Sequence, residues 1–371
     1  MPKQVRLRRG TTAQHAAFTG ALGEVTMDTT RNTLVCHDGA TPGGFALARE
    51  SAQIVNTGNV LWVDCVHGND ATAQRSRLQW AFRTLIAAKA AALAGDTIVV
   101  LPGIYNEKNL AKNGVNWHFV NGATVAYSGT EVGGVFDSGR VGGACAFRVT
   151  GHGVFTVLSE PSPSAVIKSA FGADAFTIEC ERIEGLGSAL DVAGTVVLRC
   201  SELHSASATC VRSFNPANLT IDAGLIRSMG GHGIEVAGGS VEIEARRIVS
   251  SAGKGVRFLS GTLELTAREI TSSTDPALEY NSAYSALCRV YRARLVSTAA
   301  GGAGKAVVVT SGSGNLRLVQ CALVATPPAL VSLDALVPST VVLQGECVAN
   351  LGRGMNVTTA GSELTVNSVL T

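Results

Sequence analysis

The stretch from Gly231 to Ser273 writes one hydrophobic pattern twice. Aligning Ile234 with Val256, a shift of 22, sets G-I-E-V on G-V-R-F and S-V-E-I-E-A-R-R-I on T-L-E-L-T-A-R-E-I. Extending the motif small-apolar-any-apolar in both directions finds Phe147, Val166, Leu190, Cys210, Ile234, Val256, Leu278, Val307, Leu330 and Met355, at intervals of 19 to 29 residues with a mean near 23. Each repeat carries a second segment on the template apolar-x-apolar-x-small-x-x-apolar, with the cleanest copies at 176–183, 196–203, 219–226, 241–248, 263–270 and 341–348. Alternation with a period of two belongs to a strand with one buried face. A repeat near 23 residues is one turn of a β-solenoid, whose coils bury their apolar faces only by stacking about 4.8 Å apart, like residue above like. The stacking predicts one inward ladder of small side chains, Cys180, Cys200, Ala223, Ala245 and Ala267, with both cysteines as core filler.

Two segments depart from this pattern. Residues 78–94, L-Q-W-A-F-R-T-L-I-A-A-K-A-A-A-L-A, predict the one helix of the chain, ending at Gly95 and Asp96. A solenoid end is an exposed sheet edge, so the helix is expected to cover the first coil. Residues 5–48 read as three short strands separated by Gly, Asp-Thr-Thr and Asp-Gly-Ala-Thr turns. That unit is too small for a full core of its own, which suggests completion by neighbouring copies. The expected division is 1–50, a small β module for trimerisation or attachment, 51–144, a linker with the capping helix and lead-in, and 145–371, the solenoid of about nine coils.

Composition narrows the functional classes. A net charge of +2 argues against a whole-molecule nucleic-acid binder, although Lys3, Arg6, Arg8 and Arg9 make the N-terminus a basic, solvated or interface-pairing arm. Nine cysteines without paired short spacings predict free thiols and neither a disulfide framework nor a zinc site. Seven histidines form no H-x-H or H-E-x-x-H, so no metal and no cofactor is expected. No signal core opens the chain and no run approaches the roughly 20 apolar residues of a membrane span, so the expectation is cytoplasmic synthesis without membrane insertion.

Residues 63–108, including G-D-T-I and P-G-I-Y, resemble the lead-in of right-handed parallel β-helix proteins of the pectate-lyase-like superfamily. The resemblance covers roughly 62–371 and implies an all-β, right-handed, single-stranded parallel β-helix while saying little about activity. The first unit resembles the N-terminal module of the phage major tropism determinant, found at the start of many tail-fibre and tailspike proteins. The matching signature includes Arg8, Gly10, Glu24, Asp28, His37, Asp38 and Gly39. That likeness implies a trimeric structural piece of a virion appendage, assembled in the host cytoplasm, joined to other virion proteins through the module and facing a bacterial surface glycan or receptor.

Candidate chemistry is sparse. His37 and Asp38 sit in a turn without a nucleophile, and Gly231, Gly233, Gly238 and Gly239 mark solenoid corners, since no helix follows them to make a phosphate loop. The coil alignment places Asp222, Glu242, Glu244 and Glu264 on one outward face, at spacings that suit the paired carboxylates of a glycosidase. The competing expectation is a surface ion network, in which Arg246 and Arg268 neutralise that face and Glu235, Arg257 and Glu279 alternate in sign on another. No aromatic cluster accompanies the carboxylates, which favours structure and adhesion over a polysaccharide-cleaving tailspike. A head or baseplate fibre is a further alternative. The stretch 125–143 and the long interval from Leu278 to Val307 are the expected sites of side loops.

Overall fold

The copies of the long template become rungs stacked in register. The computed structural model describes residues 7–30, 33–46, 59–159, 164–282, 286–299, 304–312 and 315–325, and beyond them the strand segments 331–335, 340–344, 348–349, 354–356 and 363–367. Lys3, Arg6 and Leu330 lie outside the described residues. The chain divides into a first unit, 1–59 with 76–79, and a second, 60–75 with 80–371.

The second unit is a parallel β-helix with three strand faces. Eleven-residue strands at Ala175–Gly185, Thr195–Ser205, Asn218–Ser228, Ser240–Ser250 and Thr262–Ser272 pair parallel to one another. Within Ser240–Ser250 the in-out alternation changes phase at Arg246 and Arg247, two successive exposed residues. The strand therefore bends there, and its two arms form two faces. Short strands such as Ile234–Val236 and Val256–Phe258 form the third face, which holds ten strands among the described residues.

The inward ladders follow the sequence pattern. Ile178, Leu198, Ile221, Ile243 and Leu265 stack in register, as do Ile183, Leu203, Ile226, Ile248 and Ile270, all essentially buried. Between them runs the ladder of Cys180, Cys200, Ala223, Ala245 and Ala267. Eight cysteines are free among the described residues, and the two in the ladder act as small core side chains.

Several expectations need correction. Phe147 is not a rung of the short-strand face: it pairs with Phe176 in the long-strand sheet, their rings stacked 4.3 Å apart. The motif small-apolar-any-apolar fits both kinds of strand, so it misplaced this one. The short-strand face instead begins at Phe136–Asp137, which brings the count to ten rungs, and Leu333 is the residue that pairs with Val307. The stretch 125–143 thus contains a rung, and Leu287–Tyr291 and Arg294–Ser297 are ordinary rungs inside the long interval.

The helix is shorter than expected, Leu85–Ala91, because Thr84 is its N-cap. Asp70 accepts from the amides of Arg83 and Thr84, and Glu107 accepts from those of Leu85 and Ile86, so the residues before the helix are fixed by side chains. At the other end Lys112 Nζ donates to the carbonyls of Lys89 and Ala92. Leu85 and Ala88 are fully buried on the core. The neighbouring P-G-I-Y also has a packing reason. A Cβ on Gly103 would lie 2.3 Å from the Cys65 sulfur, and the Tyr105 hydroxyl reaches the Val63 and Leu101 carbonyls.

The first unit contains a four-stranded sheet, Arg9–Gly10, Val25–Asp28, Thr33–Cys36 and Phe45–Ala46, with Thr12–Ala16 as a short helix. The helix went unpredicted, yet its signal was present: Thr11 and Gln14 form a capping box.

Candidate functional site

A buried serine ladder runs along the turns that follow the long strands. Ser205, Ser228, Ser250, Ser272 and Ser297 stack in register and are fully buried. A hydroxyl has one proton; Ser250 has the Gly231 and Gly253 carbonyls both at 2.7 Å, and the assignment that repeats at every rung sends the proton to the preceding coil. Ser228 donates to Ala208 O, Ser250 to Gly231 O and Ser272 to Gly253 O, each at 2.6–2.7 Å and each on the preceding coil. Each oxygen also accepts an amide from its own turn: Gly231 N–H to Ser228, Gly253 N–H to Ser250 and Asp275 N–H to Ser272. The turns are thereby sewn coil to coil. Nearer the start, buried Asp174 accepts from Ser138 Oγ, Ser169 Oγ and the amides of Cys145 and Phe171.

The outward column of the short-strand face alternates in sign over seven rungs: Asp137, Lys168, Asp191, Arg212, Glu235, Arg257 and Glu279. Arg212 binds Asp191 with both Nε and Nη2, and Arg257 bridges Glu235 at 3.1 Å and Glu279 at 3.2 Å. The expected alternation at Glu235, Arg257 and Glu279 is therefore part of a longer ladder. Its carboxylates from Asp191 to Glu279 are held by cations. His232 lies beside it, its Nδ1 accepting from the Lys254 amide, and burial together with the Lys254 charge lowers its pKa.

The four candidate carboxylates separate. Asp222 faces Glu244 on the adjacent rung, and Glu242 faces Glu264 one column away. Glu264 is bound by Arg289 Nη1 at 2.5 Å. Asp222 and Glu244 line a groove of about 450 Å³ along the bend of the long strands. Its floor is the small ladder, Ala223, Ala245 and Ala267, and its other wall carries Arg246, Arg268 and Arg292. Small inward residues at the bend, with Gly224 at the corner, leave room for this groove.

The expected neutralisation by Arg246 and Arg268 does not occur through ion pairs: among the described residues neither meets a carboxylate within 4.0 Å. The contacts form one column further on, where Glu269 takes Arg247 and Arg294. Arg292 was also missed. It aligns with inward Ala267, but its φ of +54° turns it into the groove while Ala293 fills the core. One aromatic does adjoin the carboxylate column, Tyr291, which pairs with Thr266.

In the first unit the signature residues hold one another. Arg8 pairs with Glu24 at 3.0 Å and lies over the Phe18 ring, which ties it into the module. Asp28 accepts from Thr12 Oγ1 and the Thr30 amide, while Arg9–Gly10 pairs with Met27 and Asp28. His37 and Asp38 have separate tasks. Asp38 accepts from the Ala40 and Thr41 amides, which hold its carboxyl down at about 2, and Gly39 beside it has φ +81°. His37 turns inward: the Gly20 amide donates to its Nδ1, its Nε2 donates to Thr26 Oγ1, and Thr26 donates to His15 Nε2. His15 Nδ1 then donates to Thr11 O. A cavity of about 230 Å³ beside this chain is lined by residues already engaged in these contacts, among them Arg8, His15 and Thr26.

The described residues hold no metal-ligating cluster of His, Cys, Asp or Glu, and no helix among them is long and apolar enough to cross a membrane. Residues 5–41 match the family described as "Major tropism determinant N-terminal domain". Over 49 residues the chain is 65% identical to the "Tail fiber receptor-binding protein" of Bordetella phage BPP-1, a span that is 13% of this chain and 13% of that protein. No solved structure matches the chain significantly.

Proposed function

We propose that this chain is a subunit of a bacteriophage fibre or spike that binds the host surface. The first unit would attach it to other virion proteins and trimerise it, and the β-helix would be its rigid, receptor-facing body. The observation that carries this reading is the 65% identity over 49 residues to a tail-fibre receptor-binding protein, beside the match of residues 5–41 to the major tropism determinant N-terminal domain. The body brings the stiffness of a shaft, because its rungs are bonded through the backbone and, in its middle stretch, through the serine and charge ladders as well. Electron microscopy of virions carrying a labelled chain should place it on an appendage, and light scattering of the purified protein should give three copies. Label on the capsid shell or in the lumen, or a monomer unable to block virion adsorption, would refute the reading.

A second reading is glycan cleavage, favoured by the paired rungs of Asp222 and Glu244 in an open groove. Release of reducing ends from host surface polysaccharide, lost in Asp222→Asn and Glu244→Gln but retained in Glu242→Gln, would establish it. Binding without release would leave an adhesin.

A further inference from the structure

We infer that the groove along the bend is a binding site for an acidic polysaccharide, with Arg246, Arg268 and Arg292 holding its carboxylate or sulfate groups. The inference deepens the receptor-binding reading and takes its biological meaning from it.

The first argument is the stacking of like charge. Arg246 and Arg268 occupy the same corner position on adjacent rungs, between the in-register pairs Ala245 with Ala267 and Arg247 with Glu269. Arg292 continues the row on the next rung and lines the same groove. Like charges facing each other across a ladder oppose assembly, whereas on the short-strand column and at Glu269 opposite charges meet, Asp191 with Arg212, Glu235 and Glu279 with Arg257, and Glu269 with Arg247 and Arg294. Among the described residues the three groove arginines have no ion-pair partner. The left-handed turn at Arg292 recurs at Gln320, φ +55°, so that turn belongs to the fold and the arginine is what this rung adds.

The second argument is what else lines the groove. Asp222 and Glu244 face the arginines from the opposite wall. They oppose an unbroken polyphosphate but accept hydrogen bonds from sugar hydroxyls, while guanidinium groups take carboxylates and sulfates in a fork. A nucleic-acid strand would also need aromatic platforms for its bases, and among the described residues Tyr291 alone adjoins this column. A sugar unit is about as long as a rung is high, roughly 4.8 Å, so successive arginines can meet successive acidic sugars.

The test is binding of fluorescent polygalacturonate to the full chain, with dextran sulfate, neutral dextran and single-stranded poly-dT as competitors. We expect saturable, salt-sensitive binding, displaced by dextran sulfate but not by neutral dextran. Arg268→Gln should weaken it at least about tenfold, the scale of one lost charge-assisted contact. Arg294→Gln, the same charge change outside the groove, should leave it intact, and melting curves would confirm that both variants fold. The inference is overturned if no acidic glycan binds, if neutral dextran competes equally, if poly-dT competes better than dextran sulfate, or if Arg268→Gln binds like the wild type. Virion location is read separately with labelled particles, so the fibre assignment and the groove assignment fail independently.

Discussion

Replacing Ser250 by alanine tests whether the serine ladder holds the coils together. The hydroxyl is fully buried, accepts the Gly253 amide at 3.0 Å and donates to Gly231 O at 2.7 Å. Alanine leaves both groups without a partner. Gly253 is buried, so its amide bears most of a desolvation penalty of about 1–3 kcal/mol, while Gly231 is partly exposed and its carbonyl can turn to water. Together they imply a loss of about 2 kcal/mol, which corresponds to roughly thirtyfold faster exchange of the Gly253 amide through local opening. Ser272→Ala strikes the same glycine from the other side, because Ser272 donates to Gly253 O. The double variant should therefore be non-additive. Ser251→Ala, whose hydroxyl among the described residues meets only the Met229 sulfur at 3.6 Å, is the control. Hydrogen exchange and urea midpoints read the effect, and a Ser250→Ala protein indistinguishable from Ser251→Ala would refute the reasoning.

Other changes follow from the same contacts. Arg257→Met strips Glu235 and Glu279 of their bridge, with Lys254 still 3.5 Å from Glu279, and should cost about 2 kcal/mol in urea unfolding, partly recovered by adding Glu235→Gln. Asp174→Asn sets an amide against at least one of four donors and should cost about 3 kcal/mol by thermal melting. His232 titrates below its ordinary 6.5 because of burial and Lys254, so the folded protein binds fewer protons than the unfolded chain. Its contribution is full above 6.5 and is lost as pH falls from there through the folded value; His232→Asn should flatten the urea midpoint across that window.

The strands were legible because one buried face forces a period of two, and the coils because two of them repeat at a shift of 22 that keeps their ladders in register. What pattern could not resolve was which face a short apolar motif joins. Phe147 fits the short-strand motif yet pairs with Phe176, since the choice is made by neighbouring rungs. Residues 78–84 stay outside the helix because Asp70 and Thr84, of which alanine-rich propensity takes no account, fix residues 83–84 by side-chain bonds. The serine ladder had a signal, a serine three residues before Ala208, Gly231, Gly253 or Asp275, but its meaning depends on carbonyls one coil away. At the candidate site, register placed Asp222 beside Glu244 correctly. Arg292 was hidden because a left-handed residue breaks the in-out parity from which its direction was counted.

The alternating charge column limits how the β-helix can change length. Excising residues 234–255, one coil, would bring Arg257 onto Arg212, cation on cation. Excising 234–277 would bring Glu279 onto Arg212 and restore opposite signs. The apolar, alanine and serine ladders tolerate either deletion, because those columns repeat nearly the same residue type at every rung. The charges alone count the coils, and they count in twos. Shortened or lengthened descendants of this body should therefore differ by even numbers of coils along this stretch, or carry a compensating charge reversal at the junction.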